Sequence, residues 1–410
     1  MQGVYYILGR EDTKPLCRVS NRPGEFLLIP SLTLHAKPYY CVSICSKPFH
    51  SMNRTLLLLT LACALSLPGW SQKYSNEFLT IGVGARAHGM GTAIISSVDD
   101  VTAGLWNPAG LANLKPEDGL ELGAMHAEWF AGVSNFDYLG FTPPIANGGR
   151  LGFSLVRFGI DGIPNTLSLY NSDGTVNFDN VTEFSAADYA FLISYAQPFK
   201  VKKGQLLGGG SVKIIHRRIG PFANSWGFGL DAGLQYHLRD WSFGLVAKDV
   251  TSTFNAWSFS FTEDEKEVLA LTNNEVPINS VEITRPQVVL GLARRFELGK
   301  VGLAPEANFI FTTDGRRNTL LSADPISMDM AAGLEADYQD FVFLRAGVSQ
   351  FQEITDFDGG ENWRMRPSLG VGFRISSFVV DYAYTDLGAE ESTYSHVISL
   401  RLGLKPKAKE

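Results

Sequence analysis

The chain has 410 residues, of which 41 are glycine, 12% are aromatic and only 19% are charged, with a formal net charge of −7. That length fits two or three soluble domains or one large barrel, while the glycine and aromatic content leans away from a helical enzyme and the negative charge away from a nucleic-acid partner. A mean hydropathy of +0.01 is too polar for a bundle of membrane helices, but a transmembrane barrel escapes that requirement because only alternate residues face lipid.

In chain order, residues 1–51 carry Cys17, Cys41 and Cys45 without clear periodicity. They read as an upstream extension from a start codon placed too early. Residues 52–71 read as a secretory signal peptide. Met52 and Arg54 open it, Leu56 to Leu65 form its apolar core, and Pro68 ends that core. Gly69 and Ser71 are the small residues before a cut at Gln72. Cys63 lies in the apolar core, where Thr60-Leu61-Ala62 makes a poor lipobox. All four cysteines precede Gln72, so the mature chain is expected to have neither a disulfide framework nor a thiolate metal site.

Residues 72–117 are too irregular for a barrel strand and too apolar for a free tail. They hold Gly82, Gly84, Gly89, Gly91, Arg86, the pair Asp99-Asp100, and Trp106-Asn107-Pro108-Ala109-Gly110. Glycine and proline there supply the sharp reversals of a segment folded into a lumen, and this stretch is expected to be an N-terminal hatch.

Period-two patterning dominates residues 118–404. Trp226, Phe228, Leu230, Ala232, Leu234 and Tyr236 alternate with Gly227, Gly229, Asp231, Gly233 and Gln235. One face is aromatic and aliphatic, the other small or polar, as in a strand between lipid and lumen. Similar runs appear at residues 326–338 and 394–404. The expectation is an all-β fold, a transmembrane antiparallel barrel of about fourteen strands. Tight turns such as Leu238-Arg239-Asp240-Trp241 would face the periplasm. Long polar loops at 161–183, 252–285 and 314–324 would face outward, and residues 405–410 would form a periplasmic tail.

Sites of chemistry are sparse. The Gly82–Gly91 cluster lacks the G-x-G-x-x-G spacing of a nucleotide cradle. The mature histidines show no zinc-like spacing, and no G-x-S-x-G elbow occurs. No catalytic residue, metal or cofactor is predicted, and the protein is not expected to be an enzyme. Loop 252–285 is the main candidate for partner binding, because Phe254, Trp257, Phe259 and Phe261 are residue types that anchor interfaces.

The segments Glu77-Phe78-Leu79-Thr80-Ile81-Gly82-Val83-Gly84-Ala85-Arg86-Ala87-His88-Gly89-Met90-Gly91 and Asp99-Asp100-Val101-Thr102-Ala103-Gly104-Leu105-Trp106-Asn107-Pro108-Ala109-Gly110 closely resemble the mature opening of PorV/PorQ family proteins. Trp257-Ser258-Phe259, Asn274, Pro277 and Glu282-Ile283-Thr284-Arg285-Pro286 look like that family's long mid-barrel loop. The resemblance implies an outer-membrane, fatty-acid-transporter-like barrel embedded in lipid and serving type IX secretion in Bacteroidetes-type bacteria. It also implies protein partners, namely a secretion translocon and the C-terminal domains of cargo, docked through the loop residues. The wider barrel group implies an alternative, transport of hydrophobic small molecules. A soluble β-rich surface protein is a third possibility.

Overall fold

The computed structural model describes residues 18–19, 27–28 and 75–405, except 131, 146–147, 172–173, 356–359 and 387–393. Residues 52–71, expected to be a signal peptide, and residues 356–359 and 406–410 lie outside the described residues. Within residues 1–51, Arg18–Val19 pairs with Leu27–Leu28 in a unit separate from the rest of the chain.

From residue 120 onward the backbone forms strand segments β1 (Leu120–Trp129), β2 (Ser134–Thr142), β3 (Arg150–Asn165), β4 (Thr182–Phe199), β5 (Gln205–Ile219), β6 (Ala223–Leu238), β7 (Trp241–Lys248), β8 (Thr253–Phe259), β9 (Ser280–Thr284), β10 (Gln287–Arg294), β11 (Phe296–Leu298), β12 (Val301–Thr312), β13 (Ser327–Tyr338), β14 (Val342–Thr355), β15 (Glu361–Ile375), β16 (Phe378–Asp386) and β17 (Tyr394–Leu404). Each pairs antiparallel with its neighbours. The sheet closes where β17 meets β1, with Leu404 opposite Leu120 and His396 opposite Glu128. Segments β7 and β8 share one stave, as do β9, β10 and β11, so the result is a closed fourteen-stranded antiparallel barrel. The protein is an outer-membrane barrel.

The alternation explains which side of the wall each residue takes. On β6, Trp226, Phe228 and Leu234 are exposed on the outer face, whereas Ser225, Asp231 and Gln235 are buried inside. Closure leaves no unpaired sheet edge, which is what makes strands viable in hydrocarbon. At the tight-turn end, Arg239 and Ser376 adopt φ of 54° and 58°, so two or three residues reverse the chain.

One expectation is corrected. Residues 252–285 do not form a single loop. Residues 253–259 and 280–284 continue the wall as β8 and β9, paired from Thr253–Thr284 to Trp257–Ser280. Only residues 260–279 leave it, carrying helix α4 (Glu263–Leu271), whose Thr262 and Glu265 form a capping box.

Candidate functional site: a chamber between hatch and wall

The hatch is built from three short helical turns, α1 (Phe78–Ile81), α2 (Ala85–Gly89) and α3 (Ala103–Trp106), followed by a 3-10 turn at Pro108–Asn113. Asn107 sets the last of these. Its Oδ1 accepts from Ala109 N at 3.2 Å, its Nδ2 donates to Ile95 O at 2.9 Å and to Leu234 O of the wall at 3.1 Å, and Pro108 takes the first helical position. Trp106 donates to Val83 O at 2.8 Å, and its ring lies so close to Gly82 that a Cβ there would meet it at 2.2 Å. His88, fully enclosed, lies 3.1 Å from Gly82 O. Burial lowers its pKa to about 4, outweighing that carbonyl. Gly82, Gly84, Gly89, Gly91, Arg86, Asp99, Asp100 and residues 106–110 therefore come together as the packed hatch, not as a ligand cradle.

The lumen glycines take their meaning from this packing. Where the hatch passes, β5, β6, β7, β10, β13 and β14 present Gly209, Gly233, Gly244, Gly291, Gly333 and Gly347. A Cβ at Gly233 would come within 2.1 Å of Asn107 Oδ1, and one at Gly347 within 2.1 Å of Gly91 N. At these points the wall has no room for a side chain.

Charge fixes the other side of the hatch. Arg86 bridges Asp99 at 2.6 Å and Glu335 at 3.1 Å. Glu335 holds Arg345 at 2.7 Å, Arg345 holds Asp381 at 2.8 Å, and Arg401 links Asp381 at 3.6 Å to Asp100 at 2.9 Å. Burial disfavours the Arg86 charge, yet Glu335, Asp99 and Asp100 hold its pKa well above the usual arginine value. Removing one partner from such a chain would leave a buried charge uncompensated.

The wall itself is interrupted at one seam. Segments β7 and β10 pair up to Lys248–Gln287, and β8 and β9 begin at Thr253–Thr284. Residues 249–252 and 285–286 lie between, with Asp249 and Ser252 at positive φ and Pro286 lacking an N–H. Asp249 turns inward to Lys213 at 2.5 Å and accepts from Thr253, and its N–H donates to Asp231 at 2.8 Å. Asp231 also bridges Lys213, at 2.8 Å.

A chamber of about 610 Å³ adjoins this interruption, within the usual range for small-molecule sites. Its apolar lining comes from Leu79, Ile81, Leu105, Trp106, Val289 and Ile310, and residues 313–319 form part of its rim. Lys248 also lines it, with its ammonium 5.4 Å from the Trp106 ring centre and no ion pair among the described residues. Sequence reasoning missed Lys213, Lys248, Asp249, Arg345, Asp381 and Arg401. For most of them the available signal was a charge at a lumen-facing position of a period-two strand.

The loop candidates separate. Phe254 points outward from β8. Trp257 points into the lumen beneath the Arg217 guanidinium, 5.0 Å from its ring centre, and Phe259 stacks on it at 6.1 Å. Phe261 stacks on Phe222 at 5.6 Å. Glu282 belongs to the wall, accepting from Ser75 Oγ at 3.1 Å and from Arg217 at 3.4 Å. Phe261, Asn274 and Pro277 lie in the outer connection. The expectation of one continuous aromatic loop over residues 252–285 is corrected because residues 253–259 and 280–284 are wall strands, with Trp257 buried and Phe254 facing outward.

No family profile matches the chain, and no curated protein matches it. Among solved structures it is similar to the CymD monoaromatic hydrocarbon channel, at 14% identity over 80% of this chain and 99% of that one, with a TM-score of 0.49. It is also similar to the Pseudomonas putida toluene transporter TodX, at 15% identity over 79% and 99%, TM-score 0.48. A third is a Pseudomonas aeruginosa FadL homologue, at 13% identity over 78% and 97%, TM-score 0.44.

Proposed function

We propose that this barrel passes small amphipathic molecules across the outer membrane, each with an apolar body and a negatively charged end. The chamber is the observation that carries this reading. It offers an indole face and aliphatic side chains beside a lysine that has no ion-pair partner among the described residues, an arrangement that suits an apolar body and an anionic end together. The hatch forms its floor, so direct flow of ions down the lumen is blocked. The interrupted wall at residues 249–252 and 285–286 gives the chamber a side where ladder hydrogen bonds are already missing. Uptake of an amphipathic carboxylate by cells expressing the barrel tests the proposal. Ile310→Trp, which fills the chamber from β12, should abolish uptake. Lys248→Gln should lower uptake of the carboxylate more than that of its uncharged amide. Normal uptake with Ile310→Trp would refute it.

A second reading, docking of secreted proteins in the manner of PorV/PorQ-type barrels, is favoured by one observation. The connection carrying α4 exposes Leu271, at the end of the helix, and Ile278, beyond it, to 77% and 80%, and large apolar side chains held that far out suit a protein partner. Leu271→Ser with Ile278→Ser should then impair surface delivery of secreted proteins and leave uptake intact. Ile310→Trp should do the reverse if passage is the function.

A further inference from the structure

The outer face of the wall carries a second concavity, of about 730 Å³, on the opposite side of the sheet from the chamber. Outward-facing side chains of β17, β1, β2, β3 and β4 line it, chiefly Leu400, Leu122, Leu139, Phe153 and Phe191. Ala124 leaves its floor low, and Phe141 and Phe153 stack at 4.8 Å to form one bank. The next outward position toward the long-loop end is polar on three adjacent strands. His126 follows Ala124, Asp137 follows Leu139, and Arg157 follows Leu155. Asp137 gathers the other two, with His126 Nδ1 at 2.7 Å and Arg157 Nη1 at 3.2 Å. On β6 the outward positions are held by Trp226 and Phe228.

We propose that this face holds one phosphate-bearing membrane lipid, with an acyl chain in the groove and its phosphate on Arg157 and His126. A groove open to hydrocarbon is filled by an apolar chain, and two cationic or donor side chains fixed at its mouth by one carboxylate recognise an anionic oxygen group. Asp137 positions the pair, while His126 keeps its Nε2 for the phosphate. Arg157, whose Nη2 also lies 4.0 Å from Asp161 and which bonds Tyr189, would turn part of its guanidinium from those partners to the phosphate. The site is independent of the passage proposed above, because the sheet lies between them.

Native mass spectrometry of the full chain in detergent tests this, with dioleoyl phosphatidic acid, dioleoylglycerol and inorganic phosphate as probes. One equivalent of phosphatidic acid should be retained at least tenfold more strongly than the diacylglycerol, and inorganic phosphate should not displace it. Ala124→Trp, which fills the groove, should cut retention about tenfold, as should Arg157→Gln with His126→Gln. Ala332→Trp, outward-facing on β13, should leave it unchanged. Heat-modifiable mobility checks assembly, and if the double variant fails to assemble, Ala124→Trp decides, since it adds an aromatic to the lipid side. Undiminished retention in Ala124→Trp, or equal retention of both lipids, overturns the proposal. Displacement by phosphate alone would assign the cluster to a free anion and overturn it as well.

Discussion

The fit of hatch to wall yields a sharp prediction at Gly347. A methyl there would stand 2.1 Å from Gly91 N and 2.2 Å from Met90 C. Ordinary contacts begin near 3.4 Å, so the hatch backbone or β14 must retreat by more than an ångström. Neither moves freely. Arg86 is pinned through Glu335 on β13, and the segment after Gly91 is held by Asn308 Nδ2 donating to Thr92 O at 3.2 Å. Over-packing of this kind costs about 1–3 kcal/mol, and a clash with backbone on both sides belongs at the upper end. Gly210 is the control, since it lies in β5 with Asp231 O as its nearest neighbour at 3.4 Å. Gly210→Ala and Gly347→Ala share the gain of about 0.4–1 kcal/mol from a stiffer unfolded chain, so their difference isolates the hatch contact. Thermal unfolding in detergent, with limited proteolysis of the hatch and planar-bilayer conductance, reads the effect. Gly347→Ala should lower the unfolding temperature, expose the hatch to protease and raise the ion leak, while Gly210→Ala should unfold at or slightly above the wild-type temperature with hatch protection and ion leak unchanged. If the two variants behave alike, the hatch does not abut β14 as described.

Two further expectations follow from the same architecture. Leu230, midway along β6 on the lipid face, should not tolerate Arg: the substitution should cost about 2–4 kcal/mol and reduce the heat-modifiable, assembled form in outer-membrane fractions. His88 should make the hatch acid-sensitive, because its pKa falls to about 4 in the folded protein from an ordinary value near 6.5. The unfolded state then binds more protons, so stability is fully present above pH ~6.5 and declines as pH falls toward 4, by up to about 3 kcal/mol. His88→Gln should flatten that part of the pH profile of unfolding, and an unchanged profile would show that His88 is not enclosed.

The barrel was legible in the sequence because β6, β13 and β17 keep strict alternation from end to end. The stretch 252–285 was not, for a reason visible in the wall. Along β7 the odd residues Trp241, Phe243 and Leu245 face outward, but after residues 249–252 the even residue Phe254 does so and Trp257 turns inward. On the neighbouring stave Ile283 faces out before residues 285–286 and Leu290 after them. A one-residue slip exchanges the faces of a strand. Both staves change phase at the interruption, so the runs at 253–259 and 280–284 are cut off from the longer strands they continue, and the aromatics looked like loop anchors. The hatch motif was legible as a cluster of glycines and polar residues. Its partners were not, because a glycine in β10 or β14 carries no sign of what will lie against it, and the pairing of Arg345 with Asp381 depends on register between strands.

These features also bear on how a solute could leave the chamber. Extracting the hatch would break the chain from Arg86 through Glu335 to Arg345 and the link from Asp100 to Arg401. Orphaning a buried charge costs about 3–5 kcal/mol each time, and the glycine contacts around the lumen would be lost as well. Parting the wall beside residues 249–252 and 285–286 is cheaper. Rungs between Lys248–Gln287 and Thr253–Thr284 are already absent from the ladder. Each neighbouring hydrogen bond contributes only about 0.5–1.5 kcal/mol net in an aqueous reference, though more where lipid replaces water. Asp249 and Lys213 close the gap from inside, and Lys248 lies on the chamber side of the same interruption. The proposed passage therefore requires a local rearrangement at one seam, with the hatch left in place, and a disulfide that locks residues 252 and 285 together should stop uptake without altering the ion leak.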